Sequence, residues 1–191
     1  MSIRSLLSLI VLLALAVAPL HGAAREEVTL RPPAVPLVAC DPYFSVWSFA
    51  DLLTDEATRH WTGREQSLTS LIRIDDQVYR LMGDTPEDVP ALQQTSLEVL
   101  PTRTIYTFEG AGTQVTLRFM TPALPDDIDI LSRPVTYVVW DVRAADGQVH
   151  DVRLYFSSSA ELTVNVPEQK VVWSRPEIDD LLVVKMGTKD Q

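Results

Sequence analysis

The stretch Thr102-Arg-Thr-Ile-Tyr-Thr-Phe-Glu-Gly-Ala-Gly-Thr-Gln-Val-Thr-Leu-Arg-Phe-Met120 decides the fold. On its first arm Thr104, Tyr106 and Phe108 recur at every second residue, and on its second arm Val115, Leu117 and Phe119 do the same. A side-chain period of two places such residues together on one face of a half-buried strand. Gly110-Ala-Gly112 supplies a turn between the arms, so the segment predicts a β-hairpin with one apolar face.

The pattern repeats outward from there. Ser70–Ile74 and Gln77–Met82 flank Asp75-Asp76 and predict a second tight hairpin. Val135–Val142 and Val149–Ser157 predict a third pair turned by Ala145-Asp-Gly147, with Val152, Leu154 and Phe156 on one face. With Thr95–Leu100, Leu162–Val166, Val171–Arg175 and Leu181–Met186, the chain offers about ten strands at the spacing of sandwiches and barrels. The 13 prolines leave no room for long helices. One helical turn is expected within Phe49–Thr58, capped by Asp51, while Gly83–Ala91 and Pro122–Pro134 read as loops. The fold class is therefore all-β, an antiparallel β-sandwich of about ten strands.

A leader precedes it. Arg4 supplies a positive charge, Leu6–Ala18 is apolar except for Ser8, and Pro19 ends the run before Gly22 and Ala24. The run is shorter than the roughly 20 residues of a membrane span, and the small residues fit cleavage before Arg25. This divides the chain into a signal peptide, residues 1–24, and one β-sandwich domain, residues 25–191, secreted or periplasmic and free of the membrane after cleavage. Leu37-Val-Ala-Cys40 has the form of a lipidation signal, but Arg25-Glu-Glu and Arg31-Pro-Pro separate it from the apolar run. Cys40 is instead a small buried hydrophobe, and a single Cys permits no intramolecular disulfide.

The formal charge is −10, with 26 acidic residues against 16 Lys and Arg, and every Lys follows Val166. That distribution argues against nucleic acid, which requires clustered cations. His60 and His150 have no Cys at metal-ligand spacing, no Gly-x-Ser-x-Gly elbow is present, and Gly110-Ala-Gly112 lacks the third Gly of a dinucleotide loop. Asp126, Asp127 and Asp129 sit in a Pro-bounded loop without the spacing of a full calcium loop, and Asp179-Asp180 reads as a solvated pair. No catalytic residue, metal ligand or cofactor site is assigned.

The most informative stretch runs from Arg31 to Gly83. Arg31-Pro-Pro-Ala-Val-Pro-Leu37, Asp41-Pro-Tyr-Phe-Ser-Val-Trp-Ser48, Leu53-Thr-Asp55, His60-Trp-Thr-Gly63, Leu68-Thr-Ser-Leu-Ile-Arg-Ile-Asp75 and Tyr79-Arg-Leu-Met-Gly83 follow one another. This succession resembles the opening of glutaminase A-like proteins, secreted proteins of bacteria and fungi whose front region comprises domains of unknown function. The resemblance implies a β-sandwich in front of a helical, toroid-like catalytic domain that hydrolyses L-glutamine to L-glutamate and ammonia. With no helical segment here, the expectation is that the helical catalytic domain is a partner outside this chain, which is a fragment and inactive by itself.

Two short segments, Asp41–Ser48 and His60–Gly63, concentrate large aromatics among charges, a mixture that interfaces favour. Asp41, Tyr43, Phe44, Trp47, His60 and Trp61 are therefore candidates for a domain interface. The competing reading is a secreted carbohydrate-binding module, or the N-terminal domain of a glycoside hydrolase. There Tyr43, Trp47 and Trp61 would stack on sugar rings, with Tyr43, Ser45, Trp47 and Phe49 on one side of a strand.

Overall fold

A computed structural model of the chain describes residues 32–189. The proposed leader and its cleavage point lie outside the described residues. What is described is predominantly β, and every sheet is antiparallel. The largest sheet has the order β6 (Gln93–Leu100), β7 (Arg103–Gly110), β8 (Thr113–Met120), β9 (Tyr137–Ala144). A second has the order β10 (Val152–Ser158), β4 (Leu68–Ile74), β5 (Gln77–Met82). A third joins β1 (Val35–Ala39), β2 (Ser45–Ser48) and β3 (Arg59–His60). Two small ribbons pair β11 (Val171–Ser174) with β14 (Lys185–Thr188), and β12 (Glu177–Ile178) with β13 (Leu181–Leu182).

The period of two becomes burial. Tyr106, Phe108, Val115, Leu117 and Phe119 point inward from β7 and β8, and Ile72 and Ile74 point inward from β4, all into one core. Tyr106 sits edge-on to Phe119 at 6.5 Å, within the range that favours aromatic pairs. The β1–β3 sheet contributes Val35, Leu37, Val38 and Val46 to the same core. The Thr104 hydroxyl ties that sheet down by donating to the Pro36 carbonyl at 2.6 Å.

Turn chemistry sets the registers. Gly110 pairs with Thr113, leaving the two-residue loop Ala111-Gly112 with φ of 46° and 72°. Positive φ at both positions gives the twist that matches a hairpin. Asp75, with φ of 53°, begins the corresponding turn between β4 and β5.

Four expectations are corrected. Val135–Val142 and Val149–Ser157 do not form a hairpin: β9 pairs with β8, while β10 crosses to the other sheet and pairs with β4. The crossing is stabilised at Asp75, whose N–H donates to the Asp151 carbonyl at 2.8 Å, so contacts distant in sequence override the local turn signal. Leu162–Val166 is no strand, since Ala160–Thr163 forms a 3₁₀ turn held by the Thr163 hydroxyl on the Ala160 carbonyl. Phe49–Thr58 contains bends and turns without a helix. The α-helix among the described residues is α1 (Ile128–Leu131), within the segment read as a loop, where the Asp127 carboxylate accepts from the Ile130 N–H at 3.0 Å. That bond is an N-cap.

Candidate docking surface

Asp41 organises the first segment. Its carboxylate accepts from the N–H groups of Tyr43 at 2.7 Å and Phe44 at 2.9 Å, closing a turn that leads into β2. The Phe44 and Tyr43 amides hold the Asp41 carboxyl below its ordinary range, because they bond to the charged form. The turn lifts Tyr43 into solvent, 90% exposed, and leaves Phe44 half-buried against the core.

The second segment reaches back to the same turn. His60 and Trp61 both donate to the Pro42 carbonyl, from Nε2 at 2.9 Å and Nε1 at 2.8 Å. Because His60 Nδ1 also accepts from the Thr62 N–H at 3.3 Å, the network assigns the proton to Nε2. Gly63, at φ of 89°, closes this turn with its N–H on the His60 carbonyl. The rings of His60 and Trp61 lie 5.5 Å apart and tilted, with Trp61 54% exposed.

His60 and Trp61 thus gather around the Pro42 carbonyl, and the exposed Tyr43 is the next residue in the chain. Trp47 does not join them as an open ring: it is half-buried on β2, with Nε1 donating to Ser45 Oγ at 2.8 Å. The row of Tyr43, Ser45, Trp47 and Phe49 is not one strand face either, since β2 spans only Ser45–Ser48 and Ser45 is buried.

A different constellation has no local signal in the sequence. His150 bonds through Nδ1 to Asp75 at 2.9 Å and through Nε2 to Asp146 at 3.1 Å. With a carboxylate on each ring nitrogen, both nitrogens must donate, which favours the charged imidazolium. Asp75 and Asp146 accordingly raise the His150 pKa, and His150 helps hold both carboxyls low. The bonds from Asp75 to His150 and to the Asp151 backbone tie the crossing between sheets to the β4–β5 turn, and Asp146 holds the other side of the His150 ring, so the role of the group is that of a brace. Among the described residues no group of three or more His, Cys, Asp or Glu is arranged to hold a metal ion. No helix among them is long and apolar enough to cross a membrane.

A groove of about 280 Å³ opens beside β1, lined by Pro36, Cys40, Arg103, Phe119 and Arg133. Cys40 there is half-buried and lies 3.4 Å from Thr136 Oγ1.

Comparison with known proteins gives a consistent placement. Residues 10–93 match a family described as Domain of unknown function (DUF4964), and residues 102–191 match Domain of unknown function (DUF5127). The chain is 31% identical over 167 residues to Glutaminase A of Aspergillus oryzae, a match that covers 83% of this chain and 24% of that relative. The chain therefore spans about a quarter of the length of the relative it matches. No solved structure matches it. The two matched regions, in their order along the chain, together with this relative, identify the chain with the N-terminal region of glutaminase A-like proteins.

Proposed function

We propose that residues 25–191 are the accessory N-terminal β-sandwich domain of a secreted glutaminase A-like amidohydrolase, exported on the signal peptide at 1–24. In that reading the hydrolysis of L-glutamine to L-glutamate and ammonia belongs to a helical catalytic domain elsewhere in the full-length protein. This domain docks on it through the turn Asp41–Phe44 together with His60 and Trp61. The observation that carries the docking role is the pair Tyr43 and Trp61, two large rings left exposed on turns whose backbones are pinned by hydrogen bonds. The Trp61 ring, held by its Nε1 on the Pro42 carbonyl before binding, loses little freedom when covered. Both rings also offer apolar area with a polar edge, the residue type that dominates interface energies.

The test is a Tyr43→Ala/Trp61→Ala double variant of the full-length protein and of this chain alone. Docking predicts weaker association with the catalytic part, or lower activity, with the melting temperature of this chain moved by no more than a few degrees. Unfolding of the isolated chain would show instead that the rings support its own structure. The carbohydrate-module alternative would be supported if this chain were retained on an insoluble polysaccharide and lost that retention in the double variant.

A further inference from the structure

The two large sheets contribute to one core, and their two flanks differ. One flank is closed. Arg80 on β5 donates through its guanidinium to the carbonyls of Val89, Thr54 and Gly83, each at 2.8 Å, and its backbone bonds to Pro90 and Leu92. Leu92 is buried as a plug beneath that clamp.

The other flank, bounded by β9 and β10, has no such cover. In the register of β10 on β4, Val152, Leu154 and Phe156 lie opposite Ile74, Ile72 and Ser70, so they share the core-facing side. Yet Leu154 is 45% and Phe156 41% exposed, where Ile72 on the same face is fully buried. Across the gap Val138, Trp140 and Val142 of β9 are half-buried, and Trp140 meets Phe156 edge-on at 5.5 Å. Among the described residues β9 pairs with β8 alone and β10 with β4 alone, so each presents one unpaired backbone edge. β10 carries no Pro and no inward-pointing charge, two of the devices by which natural sheets protect an open edge, and its one charge, Arg153, lies on the face away from the core.

We infer that this flank is an acceptor site for a β-strand from the remainder of the full-length protein. The strand adds to the free edge of β10 and lays alternate apolar side chains over Leu154, Phe156 and Trp140. An extended partner is indicated because the flank offers backbone donors and acceptors alongside an apolar seam, the two elements of strand addition. A source within the same polypeptide is indicated by length, since the relative extends over far more sequence than the 24% matched here. Tethering then gives the strand a high effective concentration. A second copy of this chain is disfavoured by its formal charge of −10. The inference rests on the reading that the chain works within a longer protein, but not on the Tyr43–Trp61 surface.

Amide hydrogen exchange on the full-length protein and on this chain alone tests it. The β10 amides that face away from β4 should exchange at least roughly tenfold more slowly in the full-length protein. Leu154→Glu/Phe156→Glu should abolish that extra protection and lower the full-length melting temperature, while Tyr43→Ala/Trp61→Ala leaves the β10 protection intact. Equal exchange of these amides in the two proteins would overturn the inference. So would a dimer of this chain alone that Leu154→Glu/Phe156→Glu dissociates, since the occupant would then be a second copy. Loss of association in Tyr43→Ala/Trp61→Ala with equal β10 exchange would leave the docking surface standing and remove this one.

Discussion

His150 joins two carboxylates that lie 75 and 4 residues away in the chain, and its charge state follows from theirs. Bonds to Asp75 and Asp146 raise its folded pKa above the ordinary 6.5, so its contribution to stability is fully present below pH 6.5 and is lost as pH rises through the folded value. The carboxyls of Asp75 and Asp146 are lowered from 3.8, so theirs is present above that pH and is lost as pH falls through their folded values. The brace is therefore strongest between about pH 4 and pH 6.5. The melting temperature should fall from pH 6 to pH 8 in the native chain and flatten in His150→Asn, measured by thermal unfolding across that range. Gly112 tests the same corner from the backbone. A Cβ there would meet the Asp146 carboxylate and lie 2.8 Å from His150 Nε2, at a φ of 72°. Gly112→Ala should cost about 1–2 kcal/mol from the left-handed backbone alone, together with the pH dependence just described, read by chemical denaturation at pH 6. None of this was legible in the sequence, where Asp75 reads as a turn residue and His150 as isolated. What was legible is that Asp41–Ser48 and His60–Gly63 concentrate aromatics, although only the folded backbone separates the open rings of Tyr43 and Trp61 from the half-buried Phe44 and Trp47.

Among the elements, the hairpin of β7 and β8 carries the largest buried side chains, Tyr106, Phe108 and Phe119. Removing one leaves a cavity that the surrounding strands fill only in part. Phe108→Ala should therefore cost about 3–5 kcal/mol in a denaturant titration, while Tyr137→Ala, at an exposed position of β9, should lie within about 0.5 kcal/mol of the native chain. The elements that could be read from the sequence are those whose two faces meet different surroundings. β4, β7 and β8 alternate because one side faces the core and the other does not. The pairing of β9 and β10 could not be read, because Ala145-Asp-Gly147 has the composition of a hairpin turn while the choice of partner is made by β8 and β4. Composition also failed over Pro122–Pro134, where the Asp127 cap suffices to wind one short helical turn between prolines.

In the whole molecule, the two matched regions are not two folding units. β10, from residues 102–191, lies in one sheet with β4 and β5, from residues 10–93, and both regions fill the same core. A cut between residues 93 and 102 would leave each piece with an apolar face and no cover. Residues 25–93 and 102–191 expressed separately should each give the far-ultraviolet circular dichroism of a largely unfolded chain, and mixing them should restore β structure. Two independently folded fragments would refute the shared core. If glutamine hydrolysis belongs to the helical catalytic domain proposed above, this chain alone should release no ammonia from L-glutamine above a heat-killed control.

The pairing of β10 with β4 also bears on how the chain comes to be folded. Leu68 finds its neighbour only when Ser158 has been made. At roughly 5–20 residues per second of synthesis, the β4–β5 hairpin waits on the order of ten seconds with one edge bare. During that interval the emerging polypeptide has no finished barrier to unravelling. Compaction is deferred until almost the last fifth of these residues arrives, and the slow closure of so distant a contact sets the pace at which the molecule matures.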